Sequence, residues 1–211
     1  MSQSVVVFMN KKGGVGKTTL SNLLAEQVED EGKKVSFLSV DPQQGGRATD
    51  EDVDPDADLV VIDTPGHIDE SSKQVIELAD VIVIPTIPGQ VNEGSTRETI
   101  ELVRKTNPGA IRVVLLNEYS RGRKASANMV ERFATDGGGE ILLRAPFSSA
   151  VQNADDGDAS VLAARSYTAT GVVRAIEAVA EIADGVSRGL DFTKIVMGVL
   201  PSPAFVVREV D

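Results

Sequence analysis

The stretch Lys11-Lys12-Gly13-Gly14-Val15-Gly16-Lys17-Thr18-Thr19 decides the fold of this chain. It lies between a continuous apolar run at 5–9 and a segment, 18–31, whose apolar residues recur at helical spacing. Glycines in such a turn aim successive backbone N–H groups inward, and the following helix N-terminus adds partial positive charge. The stretch therefore predicts a phosphate-binding loop, with nucleotide contacts from Lys12, Gly13, Gly14, Val15, Gly16, Lys17, Thr18 and Thr19.

Two side chains of this loop have predicted roles of their own. Lys17 can reach the β- and γ-phosphates of a nucleotide, and the Thr18 hydroxyl can face Mg²⁺. The alternative, a glycine-rich turn with two incidental lysines, is disfavoured because strand, glycines, Gly-Lys-Thr and helix occur in the required order.

The rest of the chain repeats the alternation of apolar runs and helical patterns. Short runs rich in β-branched residues occur at 35–40, 59–62, 81–84, 111–116 and 141–143, with helix candidates near 71–79, 92–106 and 123–135. This rhythm predicts an α/β fold, a doubly wound and mostly parallel sheet flanked by helices. We expect one domain at 1–190, with an acidic loop at 45–57 and a tail at 191–211 to which the pattern assigns no role.

Two aspartates stand where the carboxyl ends of neighbouring strands should meet. Asp41 follows the second run, and Asp63 ends the third run within Val60–Gly66. Carboxylates in these positions can orient Mg²⁺, its water ligands and an attacking water. Each aspartate alone is also compatible with a helix cap or a turn.

These motifs resemble those of the ParA/MinD family, whose deviant Walker A loop carries a lysine at the position of Lys12. The resemblance implies an ATPase in which Lys12 crosses a dimer interface to the partner's nucleotide, Asp41 orients the hydrolytic water, and Thr18, Asp41 and Asp63 serve the metal. Many relatives carry a further aspartate at the position of Ser39. The interval between Asp41 and Asp63 is also shorter than is common in that family.

The resemblance extends to the binding of the base. It implies that Asn117 hydrogen-bonds adenine and that Pro146 and Phe147 belong to the loop that closes over the base. Taken alone, Pro146 could equally terminate a strand and Asn117 could form a turn. We expect His67, the single histidine, to be an exposed residue of the turn after Asp63.

Composition excludes several functions of this family. The 211 residues contain no cysteine, which excludes iron–sulfur ligation, and only two tyrosines, which disfavours the tyrosine-rich tail of bacterial tyrosine kinases. No run approaches the about 20 apolar residues of a bilayer span, and the last twenty residues have only Lys194 and Arg208 as bases. We therefore expect a cytoplasmic protein that does not dock on membranes.

Charge is unevenly distributed in this acidic chain of net charge −11. Residues 26–58 hold eleven acids against three bases, whereas residues 97–132 hold eight bases against four acids. The resemblance implies non-specific DNA binding, for which the candidate residues are Arg121, Arg123, Lys124, Arg165 and Arg174. An ordinary solvated surface without a partner remains an open alternative.

The leading prediction is thus an ATPase with ATP and Mg²⁺ as ligands that forms a homodimer with ATP, binds nucleoid DNA and positions a plasmid, chromosome or other cargo. Hydrolysis would be stimulated by a ParB-like, cargo-bound activator. The alternatives are a MinD-like protein, a metabolic P-loop ligase or kinase not acting on DNA, and a nucleotide-dependent interaction module that does not hydrolyse ATP.

Overall fold

The computed structural model describes residues 3–40, 53–67, 70–135, 139–149 and 167–199. Two of the candidate site residues, Asp41 and Arg165, lie outside these ranges. So do most of the expected acidic loop and the part of the tail beyond residue 199. The roles predicted for them stay predictions.

Six strands and six helices are described in this part of the chain. The strands are β1 (Ser4–Phe8), β2 (Val35–Ser39), β3 (Leu59–Asp63), β4 (Val81–Thr86), β5 (Ile111–Tyr119) and β6 (Ile141–Pro146). The helices are α1 (Lys17–Asp30), α2 (Glu70–Leu78), α3 (Gln90–Thr106), α4 (Lys124–Thr135), α5 (Tyr167–Ser187) and α6 (Phe192–Val199).

The six strands form one sheet in the order β2-β3-β1-β4-β5-β6, and every pairing is parallel. From β1 the chain passes to one side for β2 and β3 and then to the other side for β4, β5 and β6. Such a reversal opens a crevice at the carboxyl ends of the strands, where α/β proteins bind ligands. The predicted phosphate loop leaves β1 at this point.

Helices cover both faces of the sheet, as predicted. One face packs its alternate side chains against α1, α5 and Ile195 of α6, and the other packs against α2, α3 and α4. The central strands are buried on both sides, so that β3 and β4 contain only buried residues. Burial on both faces explains why these strands read as continuous apolar runs rather than as alternating patterns.

Three elements differ from the sequence expectation, and one of them is β6, which extends to Pro146 beyond the predicted end at 143. β5 extends to Tyr119, beyond the predicted end at 116, because an irregularity in its pairing with β6 between Leu116 and Tyr119 lets the chain continue. The tail begins with α6, whose Ile195 is 4% exposed and belongs to the core beside α5. None of the described helices combines the length and the apolar character that crossing a bilayer requires.

Helix α5 approaches β6 closely at Gly171. A Cβ at Gly171 would lie 2.5 Å from Cγ and 2.8 Å from Cδ of Pro146, whose ring cannot rotate away. We predict that Gly171→Ala lowers the free energy of unfolding by about 1–3 kcal/mol, the usual cost of overpacking a core. Chemical denaturation of the two proteins measures this difference.

Gly94→Ala is the matched control, because Gly94 is exposed within α3 and an added Cβ there meets nothing within 4 Å. It should raise stability by about 0.5–1 kcal/mol through the helix preference of alanine. Equal effects of the two substitutions would show that the contact with Pro146 does not restrict α5.

Candidate nucleotide site

A cavity of about 630 Å³ opens at the carboxyl edge of the sheet, beside β1. Its walls come from the loop 13–16 with the start of α1, from the turn after β3, and from the ends of β5 and β6. The lining residues are Gly13, Gly14, Gly16, Lys17, Thr18, Thr19, Leu20, Thr64, Pro65, Gly66, His67, Asn117, Glu118, Pro146, Phe147, Ser148 and Val172. The structure thus brings most of the predicted nucleotide residues to one cavity.

The loop has the backbone conformation that the sequence predicts for it. Gly14 and Gly16 adopt φ values of +71° and +92°, in the left-handed region that residues with a Cβ rarely enter. Gly16 caps α1, and Leu20 N donates to Gly16 O at 3.0 Å. The first turn of α1 lines the cavity, where the partial positive charge of the helix N-terminus favours an anion by about 0.3–1 kcal/mol at an exposed site.

The two lysines of the loop occupy different environments. Lys17 is 7% exposed and lines the cavity, and its Nζ donates to the carbonyl oxygen of Lys12 at 3.3 Å. Lys12 is exposed and, in the described part of the chain, its side chain forms no ion pair and does not line the cavity. One lysine is thus placed for a nucleotide in this protomer, and the other is presented to the outside.

The start of the loop is fixed by α3. Asn10 is fully buried, donates from Nδ2 to Pro85 O at 2.8 Å and accepts from Lys12 N at 3.0 Å. Lys11 N donates to the Thr99 hydroxyl at 3.2 Å. These contacts hold the loop to the end of β4 and to α3.

The turn after β3 touches the loop directly. A Cβ at Gly66 would lie 3.0 Å from Cα and 3.1 Å from N of Gly13, both backbone atoms. Thr64 is held in turn by two bonds to Phe8 O, from its N at 3.2 Å and from its hydroxyl at 2.9 Å. A displacement of this turn therefore moves the loop.

The donor set at the floor of the cavity suits a magnesium ion. The Thr18 hydroxyl donates to Asp63 Oδ2 at 2.6 Å, and Asp63 is 1% exposed. Beside them on the sheet, Ser39 pairs in register with Asp63, and its buried Oγ has no hydrogen-bond partner among the described residues. Thr18 and Asp63 supply two protein oxygens, and Mg²⁺ usually takes one or two of these and completes its shell with phosphates and waters.

The end of the cavity away from Thr18 is formed by the ends of β5 and β6, and the predicted contacts with the base lie there. Pro146 and Phe147 line it, and Phe147 is 46% exposed. The side chain of Asn117 also lines it but is already bonded within the protein, to Val15 O at 3.1 Å and to Glu118 N at 3.0 Å. His67 is exposed at the rim.

The basic segment 97–132 separates into two groups of side chains. Ion pairs with Glu93, Glu101 or Glu140 are formed by Arg97, Arg104, Lys105, Arg112 and Arg132. By contrast, no ion pair within the described ranges involves Arg121, Arg123 or Lys124, which are exposed in and beside the turn after β5, or the exposed Arg174 of α5. The turn lies at the same edge of the sheet as the cavity.

Sequence reasoning missed several residues that shape this site. Asn10 carried a usable signal, a polar residue directly after a buried strand and before the loop. Glu118 carried none, because its φ of +54° follows from the pairing irregularity in β5. Val172 belongs to α5. The spacing of Val172, Ile176 and Val179 is the signal that indicates this helix.

Comparisons with known proteins agree on the fold. A family model described as an AAA domain matches residues 3–50, which include the loop and α1. Among solved structures, a plasmid partition protein from Borrelia burgdorferi bound to AMPPNP superposes with a TM-score of 0.67 at 14% identity, covering 83% of this chain and 98% of that chain. The MinD cell division protein of Aquifex aeolicus gives 0.66 at 17% identity, covering 84% and 96%.

This chain has the P-loop ATPase fold of the ParA/MinD type. The same fold also occurs in cobyrinic acid a,c-diamide synthase from Mycobacterium smegmatis with bound ADP and magnesium, at a TM-score of 0.65 and 16% identity, covering 85% of this chain and 95% of that chain. No protein with a curated description matches the chain. Fold similarity alone therefore leaves partitioning, cell division and biosynthetic roles open.

The contact between Gly66 and Gly13 should influence the affinity of this site for a nucleotide. Gly66→Ala should lower the affinity for Mg-ATP about tenfold, the equivalent of ~1.4 kcal/mol, because the added methyl group displaces the loop backbone. Isothermal titration calorimetry with the full chain measures the change.

Gly122→Ala serves as the control, because Gly122 lies at the same edge and a Cβ there meets nothing within 4 Å. Its affinity should equal that of the unmodified protein. Wild-type affinity in Gly66→Ala would mean that the turn and the loop move independently.

Proposed function

We propose that this protein is an ATPase that forms an ATP-dependent homodimer, binds DNA without sequence specificity and drives the positioning of a plasmid, chromosome or other cargo. The observation that carries the proposal is the different environment of two lysines in one loop. Lys17 is buried in the cavity, whereas Lys12 is exposed outside it. A second protomer is the simplest source of a nucleotide for Lys12 to reach.

Nucleotide binding follows from the groups that line the cavity. The N–H groups at the start of α1 and the Lys17 ammonium would donate hydrogen bonds to the phosphates. Lys17 would exchange its internal bond to Lys12 O for one to a phosphate oxygen. Pro146 and Phe147 provide an apolar surface for the base. Thr18 and Asp63 would hold Mg²⁺, which neutralises charge on the phosphates when bound.

Hydrolysis needs a positioned water and charge stabilisation more than it needs a strong base. In the proposed mechanism Asp41, which follows β2, orients the water, and Lys12 of one protomer stabilises charge on the phosphoryl group in the other. Pro65 and Gly66 line the cavity and Gly66 lies against the loop, so loss of the γ-phosphate would be transmitted through this turn.

The proposed DNA surface is the turn after β5. Arg121, Arg123 and Lys124 are exposed at the carboxyl edge of the sheet, and Arg174 adds a fourth exposed charge on α5. A surface of this size contacts few phosphates, so binding by one protomer would be weak at physiological salt. Pairing two protomers doubles the charge, which makes DNA binding depend on ATP. A cargo-bound, ParB-like activator would then end the cycle by stimulating hydrolysis.

A biosynthetic ligase is the second candidate, favoured by the fold shared with cobyrinic acid a,c-diamide synthase. Such an enzyme would turn over ATP only with a small acceptor substrate and would ignore DNA. A MinD-like role would instead require binding to lipid vesicles. ATP turnover and sedimentation, each measured with and without DNA, separate these functions.

The two lysines provide a direct test of the proposal. Lys17→Ala should abolish binding of Mg-ATP, because the cavity loses its only described lysine. Lys12→Ala should keep nucleotide affinity within a few-fold but lose both turnover and ATP-dependent dimerisation. Thermal stabilisation by Mg-ATP, about 3 kcal/mol at a hundredfold excess over Kd, measures binding, and sedimentation velocity measures the dimer.

Lys11→Ala is the matched control, since Lys11 precedes Lys12 but is engaged with Glu98 at 3.0 Å. It should bind, dimerise and hydrolyse as the unmodified protein does. A Lys12→Ala protein that dimerises and hydrolyses normally would remove the role of this lysine across an interface.

The DNA surface is tested by reversing its charge. Arg121→Glu combined with Arg123→Glu should weaken binding to a random DNA duplex at least tenfold in the presence of ATP while leaving Mg-ATP affinity unchanged. The reason is the loss of phosphate contacts, which also flattens the dependence of affinity on salt. Fluorescence anisotropy over a series of salt concentrations measures both quantities.

Lys34→Glu combined with Lys105→Glu makes the same change in net charge at exposed positions on the opposite edge of the sheet. DNA binding by this control should be affected much less. Equal losses in the two double variants would assign the effect to total charge rather than to the turn after β5.

A further inference from the structure

Asn117 contacts the phosphate loop across the cavity wall. Its Nδ2 donates to Val15 O at 3.1 Å, over a sequence separation of 102 residues. A Cβ at Gly16 would lie 2.5 Å from the same nitrogen, so the amide rests directly on the glycine that caps α1. The side chain therefore touches the part of the loop where the N–H groups of the helix begin.

The other half of the amide is anchored to β5. Asn117 Oδ1 accepts from Glu118 N at 3.0 Å, and Glu118 has a φ of +54°, an uncommon conformation for a residue with a Cβ. This turn of the backbone falls at the pairing irregularity between Leu116 and Tyr119. The oxygen and one N–H of the Asn117 amide are thus bonded within the protein, and the second N–H of Nδ2 is left for another partner.

The strand behind Asn117 is rigid. Leu115 and Leu116 are fully buried, and β5 lies inside the sheet between β4 and β6. An amide projecting from the end of such a strand has a fixed position relative to β1, from which the loop departs. It can therefore set the distance between the loop and the centre of the sheet.

We infer that Asn117 is a positioning residue for the triphosphate, holding the Val15–Gly16 peptide so that the following amides converge. The inference rests on the proposed nucleotide function. This role is separate from the base recognition that the family resemblance implied for this side chain, because it uses the N–H that is bonded to Val15 O.

Inorganic tripolyphosphate distinguishes the two roles, because it has phosphates but no base. Asn117→Ala should lower the affinities for Mg-tripolyphosphate and for Mg-ATP together, each about tenfold for a lost hydrogen bond at a partly buried site. The substitution is neutral, so that no new charge lies near the phosphates.

Asn107→Ala is the matched control at the opposite edge of the sheet. Asn107 also donates from Nδ2 to backbone carbonyls, of Ile76 and Ala79 at 2.9 Å each, and also accepts a backbone N–H, from Ala110 at 3.1 Å. Its loss should reduce stability without changing the affinity for tripolyphosphate. Should Asn117→Ala not fold, Asn117→Ser, which is too short to reach Val15, is expected to show the same joint loss.

Each outcome decides a different statement. A loss confined to ATP, with tripolyphosphate bound as by the unmodified protein, overturns the inference and returns Asn117 to base recognition. An equal loss of tripolyphosphate affinity in Asn107→Ala would also overturn it, since a general weakening would then suffice. If the unmodified protein binds neither compound, the proposed function itself fails, and the inference fails with it.

Discussion

The candidate site depends on one constraint, which is that neighbouring residues fix the shape of the predicted phosphate loop. A loop of glycines has no side-chain core, so its amides converge only if the surroundings hold them. Here Asn10 binds Lys12 N, Gly66 abuts Gly13, and Asn117 binds Val15 O. These contacts come from the ends of three different strands, and parallel alignment brings those ends to one edge.

The same arrangement links the predicted metal site to the predicted phosphate site. Asp63 ends β3, which pairs with β1, and its carboxylate receives the Thr18 hydroxyl from the first turn of α1. The register between β1 and β3 therefore sets both the position of the carboxylate and the point where the loop begins. Ser39 pairs with Asp63 in the sheet and contributes a hydroxyl there.

Much of the fold was readable from the sequence because its signals are local. Buried parallel strands appear as apolar runs, and the glycines with Lys17 and Thr18 identify the loop without reference to any distant residue. The contacts that hold the loop were not readable, since Asn117 meets Val15 over 102 positions and only the assembled sheet brings them together. The extension of β5 to Tyr119 was not predicted for a related reason: the irregularity arises in the pairing of β5 with its neighbour β6, which the sequence of β5 alone does not indicate. The role of Asp41 stays a prediction.

Lys17 bends back over its own loop and donates to the carbonyl oxygen of Lys12. Arrival of a nucleotide would exchange this bond for one to a phosphate oxygen, so the loss of the internal bond offsets part of the binding free energy. Departure of the spent nucleotide would restore the internal bond, which favours release.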